Sequence, residues 1–141
     1  RSGYRYTRRD PATGAPWPVM PDTLRVLAVA AARTAGFDAF QPDACLINRY
    51  DIGARMSLHQ DRNERDFSAP IVSFSFGLPA TFLMGGHQRS DRPVRLRLAH
   101  GDVMVWGGED RLRFHGVLPI KPGHHDQVGP HRINLTFRRA G

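Results

Sequence analysis

Hydrophobic positions along this chain change their period once. After Pro21-Asp22, Leu24, Leu27, Ala28 and Ala31 recur at intervals of three and four, so the spacing predicts a packing helix that ends near Gly36. Ahead of it, residues 10–18 are rich in turn formers and read as a loop. From Asp43 onward the pattern predicts short strands over residues 44–50, 56–61, 71–76, 81–84, 94–98, 103–106, 112–118 and 133–138, separated by breaks rich in Gly, Pro and Asp. Many short strands after one helix predict a mainly β domain, a barrel or jelly roll; spacing alone does not distinguish these from a sandwich. No repeat or low-complexity tract interrupts it.

The last strand has two unlike faces. Arg132, Asn134, Thr136 and Arg138 share one, and Ile133, Leu135 and Phe137 share the other. Two guanidiniums on one rigid strand suit a short dicarboxylate, because each offers paired donors that match carboxylate geometry. Upstream, His59-Gln60-Asp61 places two metal-ligating side chains two apart, and on a strand such residues point the same way. With His115 they form a candidate facial triad of two imidazoles and one carboxylate, which leaves positions open on an octahedral ion and is the donor set of non-heme Fe(II) oxygenases. A structural zinc site would be closed. Triad and clamp together suggest 2-oxoglutarate.

Charge adds a partner. Of 141 residues, 20 are Lys or Arg against 13 Asp or Glu, for a formal charge of +7, and Lys121 is the sole lysine. Such a surface suits an anionic polymer, although arginine enrichment by itself is equally compatible with genome composition. Cys45 is the single cysteine, so no internal disulfide forms; it alternates with Leu46 and reads as packing. No apolar run approaches membrane-spanning length and no secretory signal opens the chain. A monomer in the cytoplasm, without a membrane partner, is the expectation. Arg95 and Arg97 alternate outward from an apolar strand as solvated charges, Trp106 reads as a core or pocket-wall aromatic, and His124-His125 as an exposed loop pair.

Asn48-Arg49-Tyr50, residues 57–61, Trp106-Gly107-Gly108, His115-Gly116 and residues 132–138 together resemble the bacterial AlkB nucleic-acid demethylases. The likeness runs in order through nearly the whole chain, including residues 40–47, 69–73 and 100–103, which carry no evident chemistry. It implies a double-stranded β-helix core over residues 1–141, with residues 1–20 a remnant of a nucleotide-recognition lid and loop whose N-terminal portion is missing.

The resemblance also implies roles. His59, Asp61 and His115 would hold Fe(II). Arg132 with Tyr50 and Asn134 would take the distal carboxylate of 2-oxoglutarate, and Arg138 and Asn48 would lie nearer its keto-acid end; which arginine meets which end is the less determined part. Tyr4 and Tyr6 would belong to the lid, and Asn63, Glu64 and Arg89 would lie near the substrate. With O2 and 2-oxoglutarate, an N-methyl group on 1-methyladenine or 3-methylcytosine would be oxidised, releasing formaldehyde, succinate and CO2. The substrate would be alkylated single-stranded DNA, or double-stranded DNA or RNA with the base flipped out. Bacterial members usually carry a second acid where this chain has Asn63. The alternatives are an oxygenase acting on a protein or small molecule, and a catalytically silent nucleic-acid binder on the same fold.

Overall fold

A computed structural model describes residues 5–141. One helix, α1 (Asp22–Thr34), precedes eight strands: β1 (Ala44–Asp51), β2 (Met56–His59), β3 (Ile71–Gly77), β4 (Ala80–Met84), β5 (Val94–Leu98), β6 (Val103–Trp106), β7 (His115–Val117) and β8 (His131–Arg138). They form two four-stranded sheets, ordered β1-β8-β3-β6 and β2-β7-β4-β5, with every pair antiparallel. The chain repeatedly changes sheet, which is the winding of a double-stranded β-helix, or jelly roll. Among the described residues no helix is long and apolar enough to cross a membrane.

Register decides which side chains face the interior. Tyr50 pairs with Arg132, Asn48 with Asn134, Leu46 with Thr136 and Ser75 with Asn134, so these groups share one face of the first sheet. That face looks across at the second sheet, where Phe82 and Val117 join Tyr50, Ile71 and Trp106 in one apolar cluster. The opposite face of the first sheet carries Val72, Phe74, Leu135 and Phe137, and α1 covers it through Ala28 and Ala32, both fully buried. Small side chains at those two positions let the helix lie close against β3 and β6. The contact stripe is narrower than the hydrophobic spacing predicts: Leu24 and Ala31 are half-buried, while Leu27 is 51% exposed.

Two strands are shorter than the sequence predicts. β2 stops at His59, not Asp61, and β7 begins at His115, not Leu112. Side chains take the backbone groups concerned: Gln60 Nε2 donates to Leu112 O at 2.7 Å, and Arg111 Nη1 to Asp61 O at 3.0 Å. A single 3-10 turn at Gly108–Asp110 precedes this irregular stretch. Between the paired positions Met56↔Val117 and His59↔His115 the register shifts, so two residues of β2 oppose Gly116. Gly116 is needed there. A Cβ on it would lie 2.7 Å from Met56 O and 3.2 Å from Leu58 N, so any larger residue would push β2 off β7.

Candidate metal and cosubstrate site

The close approach of β2 and β7 sets His59 opposite His115, with ring centroids 4.4 Å apart. Each imidazole is oriented by the carbonyl two residues before it: His59 Nδ1 donates to Ser57 O at 2.8 Å and His115 Nδ1 to Arg113 O at 3.0 Å. A carbonyl only accepts, so both Nδ1 atoms carry hydrogen and both Nε2 lone pairs are left for a ligand. These Nε2 atoms lie 3.6 and 3.7 Å from the two Asp61 oxygens, and one donor atom from each residue falls within 4.8 Å of the others. Asp61 reaches this position from just beyond the strand, so the shared-strand expectation fails in detail while the side chains still converge.

Electrostatics suits ligation. Burial pushes the His115 imidazole below its ordinary range, which keeps its Nε2 lone pair free. For Asp61, burial favours the neutral acid, but Arg138, His115 and His59 outweigh it and hold the carboxyl below the usual range. Arg138 spans Asp61 Oδ2 with Nε at 3.0 Å and Nη2 at 2.7 Å, and its Nε lies 3.3 Å from Glu64 Oε1. Burial alone would lower the Arg138 pKa; Asp61, with Tyr6 and Glu64, more than reverses this.

Thus the two arginines of β8 are not equivalent. Arg138 is committed to carboxylates of the protein, which the shared-face pattern could not foretell, because the acids arrive from another part of the chain. Arg132 is 1% exposed and has no acidic partner among the described residues. Its Nη2 donates to Ser75 Oγ at 3.0 Å, and its guanidinium carbon lies 5.1 Å from the Tyr50 ring centroid. Among the described residues its Nε and Nη1 have no acceptor, and the buried Trp106 Nε1, whose ring edge-packs on His115 at 5.2 Å, is likewise without a hydrogen-bond partner. Burial lowers the Arg132 pKa. Asn134 has both amide hydrogens taken, by Ser73 Oγ and Phe74 O, and accepts from Thr136. It positions β8 and offers no free donor. Asn48 is half-buried beside it in register.

The candidate substrate residues divide in the same way. Glu64 is 6% exposed and lies among Arg138, Arg111 Nη2 at 3.2 Å and the Tyr6 hydroxyl, which donates to it at 2.7 Å. It therefore braces the segment that carries Asp61. Tyr6 has its phenol pKa raised, first by burial, with Arg138 opposing and Glu64 adding to the rise. Asn63 is exposed. Arg89, also exposed, donates to Leu58 O at 2.6 Å and covers the Phe114 ring. Tyr4 lies outside the described residues.

Arg111 carries no signal in the sequence, yet it is 2% exposed and binds three groups at once: Ala69 O, Asp61 O and Glu64. Arg111→Met should destabilise the protein by about 3 kcal/mol in urea unfolding, the low end for removing one partner of a buried pair, since Arg138 still faces Glu64.

Residues 1–138 match the 2OG-Fe(II) oxygenase superfamily, where 2OG denotes 2-oxoglutarate. The solved structure of OsALKBH1 superposes with a TM-score of 0.84 at 32% identity, covering 96% of this chain and 71% of that one. The chain belongs to the AlkB family of 2OG-Fe(II) oxygenases. Over all of its length it is 57% identical to the alpha-ketoglutarate-dependent dioxygenase AlkB of Escherichia coli (strain K12), and spans 65% of that protein. The nucleic acid dioxygenase ALKBH1 of Mus musculus is 36% identical over 83% of this chain, which covers 30% of it. This AlkB-family chain therefore spans slightly less than two thirds of its bacterial relative.

Its residues fit the groups that the family name carries. Two imidazoles and one carboxylate suit Fe(II) and leave open positions. The buried donors on Arg132 that lack a partner among the described residues suit a carboxylate, such as one end of 2-oxoglutarate.

Proposed function

We propose that this chain performs oxidative demethylation of N-alkylated bases, 1-methyladenine and 3-methylcytosine, in DNA or RNA. One observation carries the cosubstrate reading: a buried arginine with two open donors on the same interior as the His59–Asp61–His115 cluster. Bound iron and 2-oxoglutarate supply the oxidation itself. His59, Asp61 and His115 would ligate the metal, and Arg132 would bind the distal carboxylate while Tyr50 packs against its guanidinium. Arg138 would hold Asp61 in its ligating orientation, and Glu64 would fix Arg138. The names of the bacterial and mouse relatives, a dioxygenase and a nucleic acid dioxygenase, together with the charge of +7, support a nucleic-acid substrate. A methyl group on the pairing edge is reachable only in a single strand or a flipped base, so single-stranded nucleic acid is the substrate advanced. Tyr6 would tie the segment before α1 to the site as part of its cover.

The test is anaerobic loading with Fe(II), 2-oxoglutarate and a 3-methylcytosine oligonucleotide, followed by admission of oxygen and mass spectrometry. Loss of one methylene mass, matched by succinate, is expected. Succinate without change in the oligonucleotide would move the target to a protein or small molecule, and neither product would favour a silent binder.

Asn63 sets lesion preference in this reading. Its exposed amide can accept from an exocyclic amino group but brings no charge to a cationic base. Asn63→Asp should raise turnover of cationic over neutral methylated bases; an unchanged ratio in paired kinetic assays would remove Asn63 from substrate selection.

A further inference from the structure

The two sheets differ on their outer sides. α1 covers the first, whereas the outer face of the second carries a concavity of about 530 Å3 lined by Leu83, Arg92, Pro93, Arg95 and Leu118. Register explains its composition. Leu83 pairs with Arg95 and Thr81 with Arg97 across β4 and β5, so Arg95 and Arg97 stand on the face opposite Phe82 and Leu98, which belong to the core. Arg92, Arg95 and Arg97 are all exposed, and among the described residues none has an ion-pair partner. The adjacent Asp91 turns away, its carboxylate accepting from Gln88 N.

We propose that this face is a second nucleic-acid subsite, which holds a single strand running away from the metal centre. The reading rests on the site acting on nucleic acid. Leu83, Pro93 and Leu118 offer an apolar floor for the face of one base, and the arginines beside it meet the backbone. Arg95 and Arg97, two residues apart on one strand, are spaced about 7 Å, a repeat that an extended polynucleotide can follow with successive phosphates. The face lies one strand pairing from the site and is reached round the β4–β5 loop: Met84 pairs with both His115 and Val94, and that loop carries Arg89 to Leu58 beside His59. A duplex hides its base faces, so an apolar floor rimmed by guanidiniums fits a single strand.

The experiment compares the unchanged chain with the triple variant Arg92→Gln, Arg95→Gln, Arg97→Gln on a lesion-bearing trinucleotide and on a lesion-bearing strand several times longer. The variant should keep trinucleotide turnover and lose most of the preference for the longer strand, with the salt slope of long-strand binding shallower by about 2. Leu83→Glu, which places a carboxylate in the floor, should weaken the long strand selectively as well. Equal effects on both substrates, or none, would overturn the subsite. So would unchanged oligonucleotide binding with loss of binding only to anionic lipid vesicles. If neither oligonucleotide is turned over by the unchanged chain, the demethylase reading fails; fluorescence anisotropy of the unmodified long strand then decides the subsite, which stands if the triple variant loses binding and falls if it does not.

Discussion

His115→Ala is expected to abolish iron binding and turnover together. His115 supplies one of three converging donors, and removing it leaves His59 and Asp61 facing a space without a third protein ligand. Loss of an outer partner of a metal ligand costs roughly 10–100-fold in affinity or activity, so loss of a ligand itself should exceed that range. The alanine also leaves a void beside Phe82 and Trp106, whose rings pack on the imidazole at 5.9 and 5.2 Å. His59→Ala separates the two effects. Its side chain is 36% exposed, so little packing is lost and the metal-free fold should keep its stability. Anaerobic Fe(II) titration of both variants, beside their urea transitions, checks this. A His59→Ala protein that bound iron as tightly as the unchanged chain would mean that the three residues are not the metal site.

The helix and most strands were legible because their periods differ and because glycine, proline and aspartate punctuate them. What escaped depends on long-range side-chain contacts. β7 lost its predicted first residues because, after the 3-10 turn, Leu112 O accepts from the Gln60 side chain and Phe114 N donates to Gly86 O outside the regular ladder. The candidate ligand pair His59 and Asp61 could be read from adjacency alone, but its brace could not. Arg111 looks like any surface arginine until Ala69, Asp61 and Glu64 are found around it. Alternation on β8 correctly grouped Arg132 with Arg138. It could not say that Asp61 and Glu64 would engage the second and leave the first open.

That asymmetry makes Arg132 the source of a second large effect, with opposite signs in the free and loaded protein. A guanidinium that is 1% exposed and lacks a carboxylate has lost hydration without full compensation, and burial already lowers its pKa. Arg132→Met keeps much of the volume and removes the charge, so the cosubstrate-free protein should gain about 1–3 kcal/mol, in the range found when buried charges give way to apolar residues. The loss of Nη2 from Ser75 Oγ offsets part of this gain. In the unchanged chain 2-oxoglutarate held by Arg132 should favour the folded state and raise the melting temperature as its concentration rises. In Arg132→Met that shift should vanish at concentrations that saturate the unchanged protein. Thermal unfolding with Mn(II) in place of iron reads both effects without turnover. A variant that is less stable when free, yet is stabilised by 2-oxoglutarate as before, would mean that Arg132 is a structural cation and that the distal carboxylate sits elsewhere.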